Sequence, residues 1–76
     1  GGKGVNLLGE TISNPDEMWM QWVDENNQTK TKGVMLRIAS NVVYAVEFED
    51  NVITDAYVVR NSLQADMLRR GLLMVR

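Results

Sequence analysis

Four residues near the middle of this chain have side chains suited to proton transfer beside an anion: Arg37, Tyr44, Asp55 and Tyr57. A carboxylate can take a proton, a phenol can give one, and an arginine keeps its charge while gripping an anion through a planar fork. Whether they act together depends on the strands that carry them. The stretch 41–60, NVVYAVEFEDNVITDAYVVR, reads as two β-rich runs around a polar corner at Asp50-Asn51, a β-hairpin. Counting outward from a two-residue turn pairs Glu47 with Thr54, Val46 with Asp55, Ala45 with Ala56 and Tyr44 with Tyr57. Tyr44, Tyr57, Val46, Phe48 and Asp55 then share one face, and Val43, Ala45, Val52, Ala56 and Val58 the other. A corner one residue longer, starting at Glu49, would shift the register and set Tyr57 beside Val43.

The preceding strand extends both faces. Val34, Leu36 and Ile38 alternate with Met35, Arg37 and Ala39, and a tight corner at Ser40-Asn41 places Arg37 opposite Tyr44, close to Asp55. The commoner reading of such a set is structural: Arg37 and Asp55 as a cross-strand ion pair, with the tyrosines covering the sheet. The apolar residues of the Ala45 face, namely Leu36, Ile38, Val43, Ala45, Ala56 and Val58, are expected to lie under helices.

The flanks supply those helices. Val5, Leu8 and Ile12 stand at helical spacing in VNLLGETIS, and Gly1 to Gly4 reads as a flexible lead-in or a tag remnant. Asn14-Pro15-Asp16-Glu17 is a turn, and Met18 to Asp24 a strand. Its Trp19 and Trp22 point to opposite faces, with core packing expected for both. The polar run Glu25 to Lys32 reads as an exposed loop closed by Gly33, and Asp16, Glu17, Asp24 and Glu25 as a solvated acidic edge. NSLQADMLRR, capped by Asn61 or Ser62 and stopped by Gly71, reads as a short helix with Leu63, Met67 and Leu68 on its apolar stripe. LLMVR, residues 72–76, fits a last strand. The expected fold is α+β: four to five antiparallel strands, with an N-terminal and a short C-terminal helix packed on one face, in a single domain over residues 5–76.

Composition narrows the chemistry. The 76 residues suffice for one small core, and a 45 % hydrophobic share with 24 % charged residues is that of a globular chain. The sequence has no cysteine and no histidine, which removes disulfides, thiolate metal sites and the commonest general base, so neither metal nor cofactor is expected. No apolar run reaches the ~20 residues that cross a bilayer, so no membrane partner is expected. The net charge of −2 is unevenly spread: Glu10 to Glu25 holds five acids and no base, whereas Arg60 to Arg76 holds four arginines and one acid.

Three pieces in order, ETISNPDEMW (Glu10 to Trp19), VITDAYVV (Val52 to Val59) and RRGLLM (Arg69 to Met74), resemble the phage-encoded relatives of the barnase, colicin ribonuclease and RelE toxin superfamily, often found at the end of phage head-morphogenesis proteins. The resemblance spans roughly Leu7 to Arg76. It implies a metal-independent RNase-like toxin or effector domain of a phage or prophage protein. Arg37, Tyr44, Asp55 and Tyr57 would be its catalytic set, with Arg60, Arg69 and Arg70 gripping RNA phosphates. The implied partners are RNA and an immunity or antitoxin protein, or the rest of a phage head protein; the implied location is the bacterial cytoplasm or the virion. The sequence departs from the family at Asp55, where relatives commonly carry Thr, and in lacking a histidine in the N-terminal helical part. Both departures point to the alternative, a non-catalytic interaction or structural module that kept the nuclease-like fold.

Overall fold

The computed structural model describes residues 2–40, 42–60 and 62–75, with side chains from residue 7 onward. Helix α1 (Gly2–Ser13) leads into strands β1 (Glu17–Glu25), β2 (Gln28–Ala39), β3 (Val42–Glu49) and β4 (Val52–Val59); helix α2 (Ser62–Arg69) and strand β5 (Leu73–Met74) close the chain. The strands form one five-stranded sheet in the order β4-β3-β2-β1-β5, antiparallel at every step. This is the α+β class expected from the sequence, with the central hairpin paired as β3 and β4.

Each face has its own helix. Where the sequence suggested both helices on one side, α2 lies over the face carrying Leu36 and α1 over the face carrying Met35. Under α2, Val34, Leu36, Ala45 and Val59 pack with Ala65, and Trp19, Val43, Tyr57, Leu68 and Leu72 surround them. On the other face α1 rests on β2 and β3, where Met35 and Val46 are buried. The fully buried Thr11 of α1 satisfies its hydroxyl by donating to the Leu7 carbonyl at 2.6 Å. The topology requires the split. β4 and β5 are the two edges, so the chain must cross the whole sheet after β4, and α2 makes that crossing on the face α1 leaves open.

Turn chemistry explains the tight corners. Asn26 and Asn27 have φ of 53° and 63°, so both central residues of the β1–β2 turn are left-handed, the type I′ geometry asparagine tolerates best after glycine. The polar run 28–32, read as loop, is therefore strand: β1 and β2 extend beyond the helices, both faces are solvated there, and no apolar alternation is needed. Asp50 (φ 54°) turns the β3–β4 corner and continues the β2 ladder, its N–H donating to the Thr31 carbonyl at 2.7 Å while its carboxylate accepts the Thr31 N–H at 2.9 Å.

One residue sets the rest of the register. Glu49 pairs with Val52 and Phe48 with Ile53, as a two-residue turn dictates, but Glu47 then pairs with Asp55, which leaves Thr54 as a bulge. Beyond it every β4 residue is displaced by one: Ala45 faces Tyr57, Tyr44 faces Val58 and Val43 faces Val59. Tyr57 thereby enters the Leu36 face. Of the six residues expected under helices, Leu36 and Ala45 are buried and Val43 half-buried, whereas Ala56 is exposed and Ile38 and Val58 are 48 % and 44 % exposed. Ala56 and Val58 were moved to the Met35 face by the bulge, and Ile38 lies at the strand end, past the helix.

The terminal elements differ in detail. α2 turns Ala65 and Leu68 inward, leaving Leu63 and Met67 exposed, and Gly71 (φ 78°) ends the helical turn as expected. β5 spans only Leu73–Met74, though the Val75 N–H still donates to the Met18 carbonyl at 2.8 Å. The proposed cap Asn61 and the last residue, Arg76, lie outside the described residues.

Candidate functional site

The bulge separates the four residues expected to act together. Arg37 and Tyr44 are cross-strand partners on the Met35 face; Asp55 and Tyr57 stand on the Leu36 face, opposite Glu47 and Ala45. Arg37 has a structural task. Its Nη1 donates to the Asn14 carbonyl at 2.7 Å, just past α1, and lies 3.8 Å from the Asp16 carboxylate. A cation at a helix C-terminus is favoured there by the aligned peptide dipoles. Asp16 in turn accepts the Ile38 N–H at 2.6 Å, and its own N–H donates to the Leu36 carbonyl at 2.9 Å. Asp16 therefore extends the β1–β2 ladder while staying exposed, like Asp24 and Glu25; of the expected acidic edge only Glu17 is drawn into the fold. The Arg37–Asp55 pair does not form.

Arg69 is engaged as well. Its Nε donates to Glu17 at 2.8 Å and its Nη2 at 3.2 Å, Nη1 reaches Asp66 at 2.8 Å, and the guanidinium sits 5.9 Å from the centre of the Trp19 ring. Glu17 also accepts the Trp19 indole N–H at 2.7 Å. Burial pushes the Glu17 carboxyl up, but the hydrogen bonds from Arg69 and Trp19 together with the Arg69 charge hold it below its usual value. The bond to Glu17 raises Arg69 in the same way. This network fastens α2 to β1. Arg70 and Arg60 are exposed, and neither forms an ion pair among the described residues.

What the structure assembles instead is a carboxylate and a phenol on the Leu36 face. The Tyr57 hydroxyl donates to Glu47, and burial, that bond and the charges of Glu47 and Asp55 push the phenol well above its usual range. It is therefore the protonated partner of the pair at neutral pH. Glu47 lines an open cleft between the last turn of α2 and the far ends of the strands, where Gln21, Lys32, Glu49 and Thr54 join it. Lys32 forms no ion pair among the described residues and brings a cation to this cleft.

The sequence reading missed Glu47. Its signal is visible in retrospect: Glu47 is the one ionisable residue besides Tyr44 within the run 42–48, VVYAVEF. Its partnership with Tyr57 depends on the bulge. Trp19 packs against the α2 core as expected, whereas Trp22 is 56 % exposed near the hairpin tip, since no helix covers that end of the Met35 face.

Comparison of the chain with protein-family models, with curated proteins and with solved structures finds no match.

Proposed function

We propose that this chain is a metal-independent RNase-like domain of a phage or prophage protein, with its chemistry at the Glu47–Tyr57 pair. The carrying observation is a carboxylate that lines an open cleft together with Lys32 and accepts the hydrogen bond of the Tyr57 phenol, which itself borders the adjoining pocket beside Gln64, Met67 and Leu68 of α2. RNA cleavage of this kind needs a base, an acid and a cation. Glu47 takes the 2′-hydroxyl proton, the 2′-oxygen bonds to phosphorus as the bond to the 5′-oxygen breaks, and Tyr57 protonates the departing 5′-oxygen. The products are a 2′,3′-cyclic phosphate and a 5′-hydroxyl. Lys32, and Arg70 just past the helical turn that borders the cleft, offset the phosphate charge. The α+β fold and the three sequence pieces that resemble the barnase, colicin and RelE relatives support the same reading.

A second reading, a non-catalytic interaction or structural module of that fold, is favoured by how the other arginines are spent. Arg37 and Arg69 are turned to Asn14, Asp16, Glu17 and Asp66, and the acids Glu49 and Asp55 stand near Glu47. Incubation with single-stranded and structured RNA in excess chelator separates the two. Cleavage leaving cyclic phosphate ends, reduced about 100-fold or more by Glu47→Gln and by Tyr57→Phe, supports the RNase reading. Absence of cleavage by the unaltered protein supports the module, and cleavage that both variants retain removes the chemistry from this pair.

A further inference from the structure

The Met35 face is only half covered. α1 shields the rows through Val46, and beyond its last turn the sheet is open. There a groove runs between Ile12 of α1 and the β3–β4 corner, floored by Met20, Phe48 and Ile53 and walled on the α1 side by Met18 and the buried Met35. The row Leu73, Met20, Gly33, Phe48, Ile53 crosses all five strands on this face, and Ile12, Ile53 and Leu73 are 41 %, 43 % and 65 % exposed. Trp22 stands at its tip end, across from Thr31, which lines the groove.

We infer that this groove receives a basic amphipathic helix from a partner protein. Charge gives the sign. Asp50 lines the groove, and Asp24 lies on the same face two residues beyond Trp22; each carboxylate accepts hydrogen bonds from threonine, Asp50 from Thr31 and Asp24 from Thr29, and neither meets a cation among the described residues. Lys30 and Lys32 are on the opposite face, and Arg37 is at the far end of this one, held by Asn14 and Asp16. Shape gives the element. The floor is a sheet face with its backbone already paired, so an added strand would gain no ladder bonds there, whereas a helix brings its own hydrogen bonds and one apolar stripe. A row across five strands is about 19 Å long at the usual interstrand spacing, which matches about 13 helical residues. Met18 and Met20, both only partly buried, let the groove adapt to the helix that lies in it.

The test uses a fluorescein-labelled peptide of about 14 residues with a leucine stripe at helical spacing and lysines elsewhere, and a second peptide with glutamate for each lysine. Anisotropy titration with the whole domain is expected to show saturable binding of the lysine peptide and at least about tenfold weaker binding of the glutamate peptide. Ile53→Lys is expected to weaken the lysine peptide about tenfold or more and Trp22→Ala severalfold, both with unchanged circular dichroism. Asp24→Lys is expected to weaken it severalfold and flatten its salt dependence. Equal binding of the two peptides overturns the inference, as does binding that survives both Ile53→Lys and Trp22→Ala. Self-association in sedimentation that Ile53→Lys abolishes would assign the groove to a second copy, and displacement of the peptide by RNA would assign it to nucleic acid; either result also overturns it.

Discussion

The contact between Arg69 and Glu17 can be weighed, and weighing it tests whether this arginine serves the fold or an RNA phosphate. The perturbation is a double-mutant cycle of Arg69→Ala, Glu17→Gln and the pair. Two charge-assisted bonds link the side chains at 2.8 and 3.2 Å, and both side chains are about one-fifth exposed, 22 % and 21 %. Hydrogen bonds to charged groups contribute about 1.5–3 kcal/mol each when well formed. Because the two bonds share one charge pair, and because partial exposure admits solvent screening, a coupling of about 1–2 kcal/mol is expected for the pair as a whole. A domain of 76 residues has a total stability of about 4–11 kcal/mol, so this is a substantial share. Thermal unfolding should show it as a drop of about 5–15 °C in Tm for Arg69→Ala. The folded-state carboxyl of Glu17 lies below its ordinary 4.5, so the contribution is present above that value and is lost as pH falls through the lower folded value. Arg69→Lys keeps the charge without the fork and should recover less than half of the coupling. A coupling below about 0.3 kcal/mol at neutral pH would refute the reasoning. So would an Arg69→Ala protein that melts normally yet loses RNA cleavage, since the arginine would then serve substrate.

Three further outcomes follow from single residues. Folded protein titrated to alkaline pH should show the Tyr57 phenol ionising only with unfolding; its folded value is raised above 10.0, so its stabilisation is full below pH 10 and declines above it, and Tyr57→Phe should remove that part of the alkaline stability loss. Gly33→Ala should destabilise by about 1–3 kcal/mol in urea, because a Cβ there would run into the Trp19 carbonyl oxygen and meet the Phe48 ring at 2.9 Å. Replacing Asn27, at φ 63°, by glycine should be neutral or mildly stabilising in the same assay, whereas Asn27→Val should cost about 1–2 kcal/mol, because a β-branched residue resists the left-handed region.

How much of this molecule was legible in its sequence depends on which interactions are local. The helix at 62–69, the corner at Asp50 and the alternation from Val34 to Ala39 are written in adjacent residues, and all appear in the structure. The division of the helices between two faces was not legible, since it follows from the strand order. The strand over 28–32 was missed because it is polar on both faces. The candidate site failed at a single point. A bulge is a contest between ladder bonds and side-chain burial, and Thr54 carries no local sign that it loses its partner.

What decides that contest is on the Leu36 face. Without the bulge, Tyr57 would leave the α2 core for the Met35 face, and Ala56 would take its place opposite Ala45. Burying the tyrosine ring there, with its hydroxyl satisfied by Glu47, outweighs one unpaired residue near an exposed corner. Exchanging the two side chains, in the double variant Ala56→Tyr with Tyr57→Ala, poses the choice directly. A regular ladder would then carry the ring at position 56 into the α2 core, so burial and pairing no longer compete. The next two residues, Val58 and Val59, are alike, so the core loses no volume when one replaces the other. If burial places the bulge, Thr54 should recover its partner Glu47 in the variant, and nuclear Overhauser contacts should run from the ring at position 56 to Ala45. If the corner or the backbone places it, the bulge should persist and the ring at position 56 should lie exposed opposite Val46, with the alanine at 57 left facing Ala45. That second pattern would show that burial of the tyrosine does not set the register of β4.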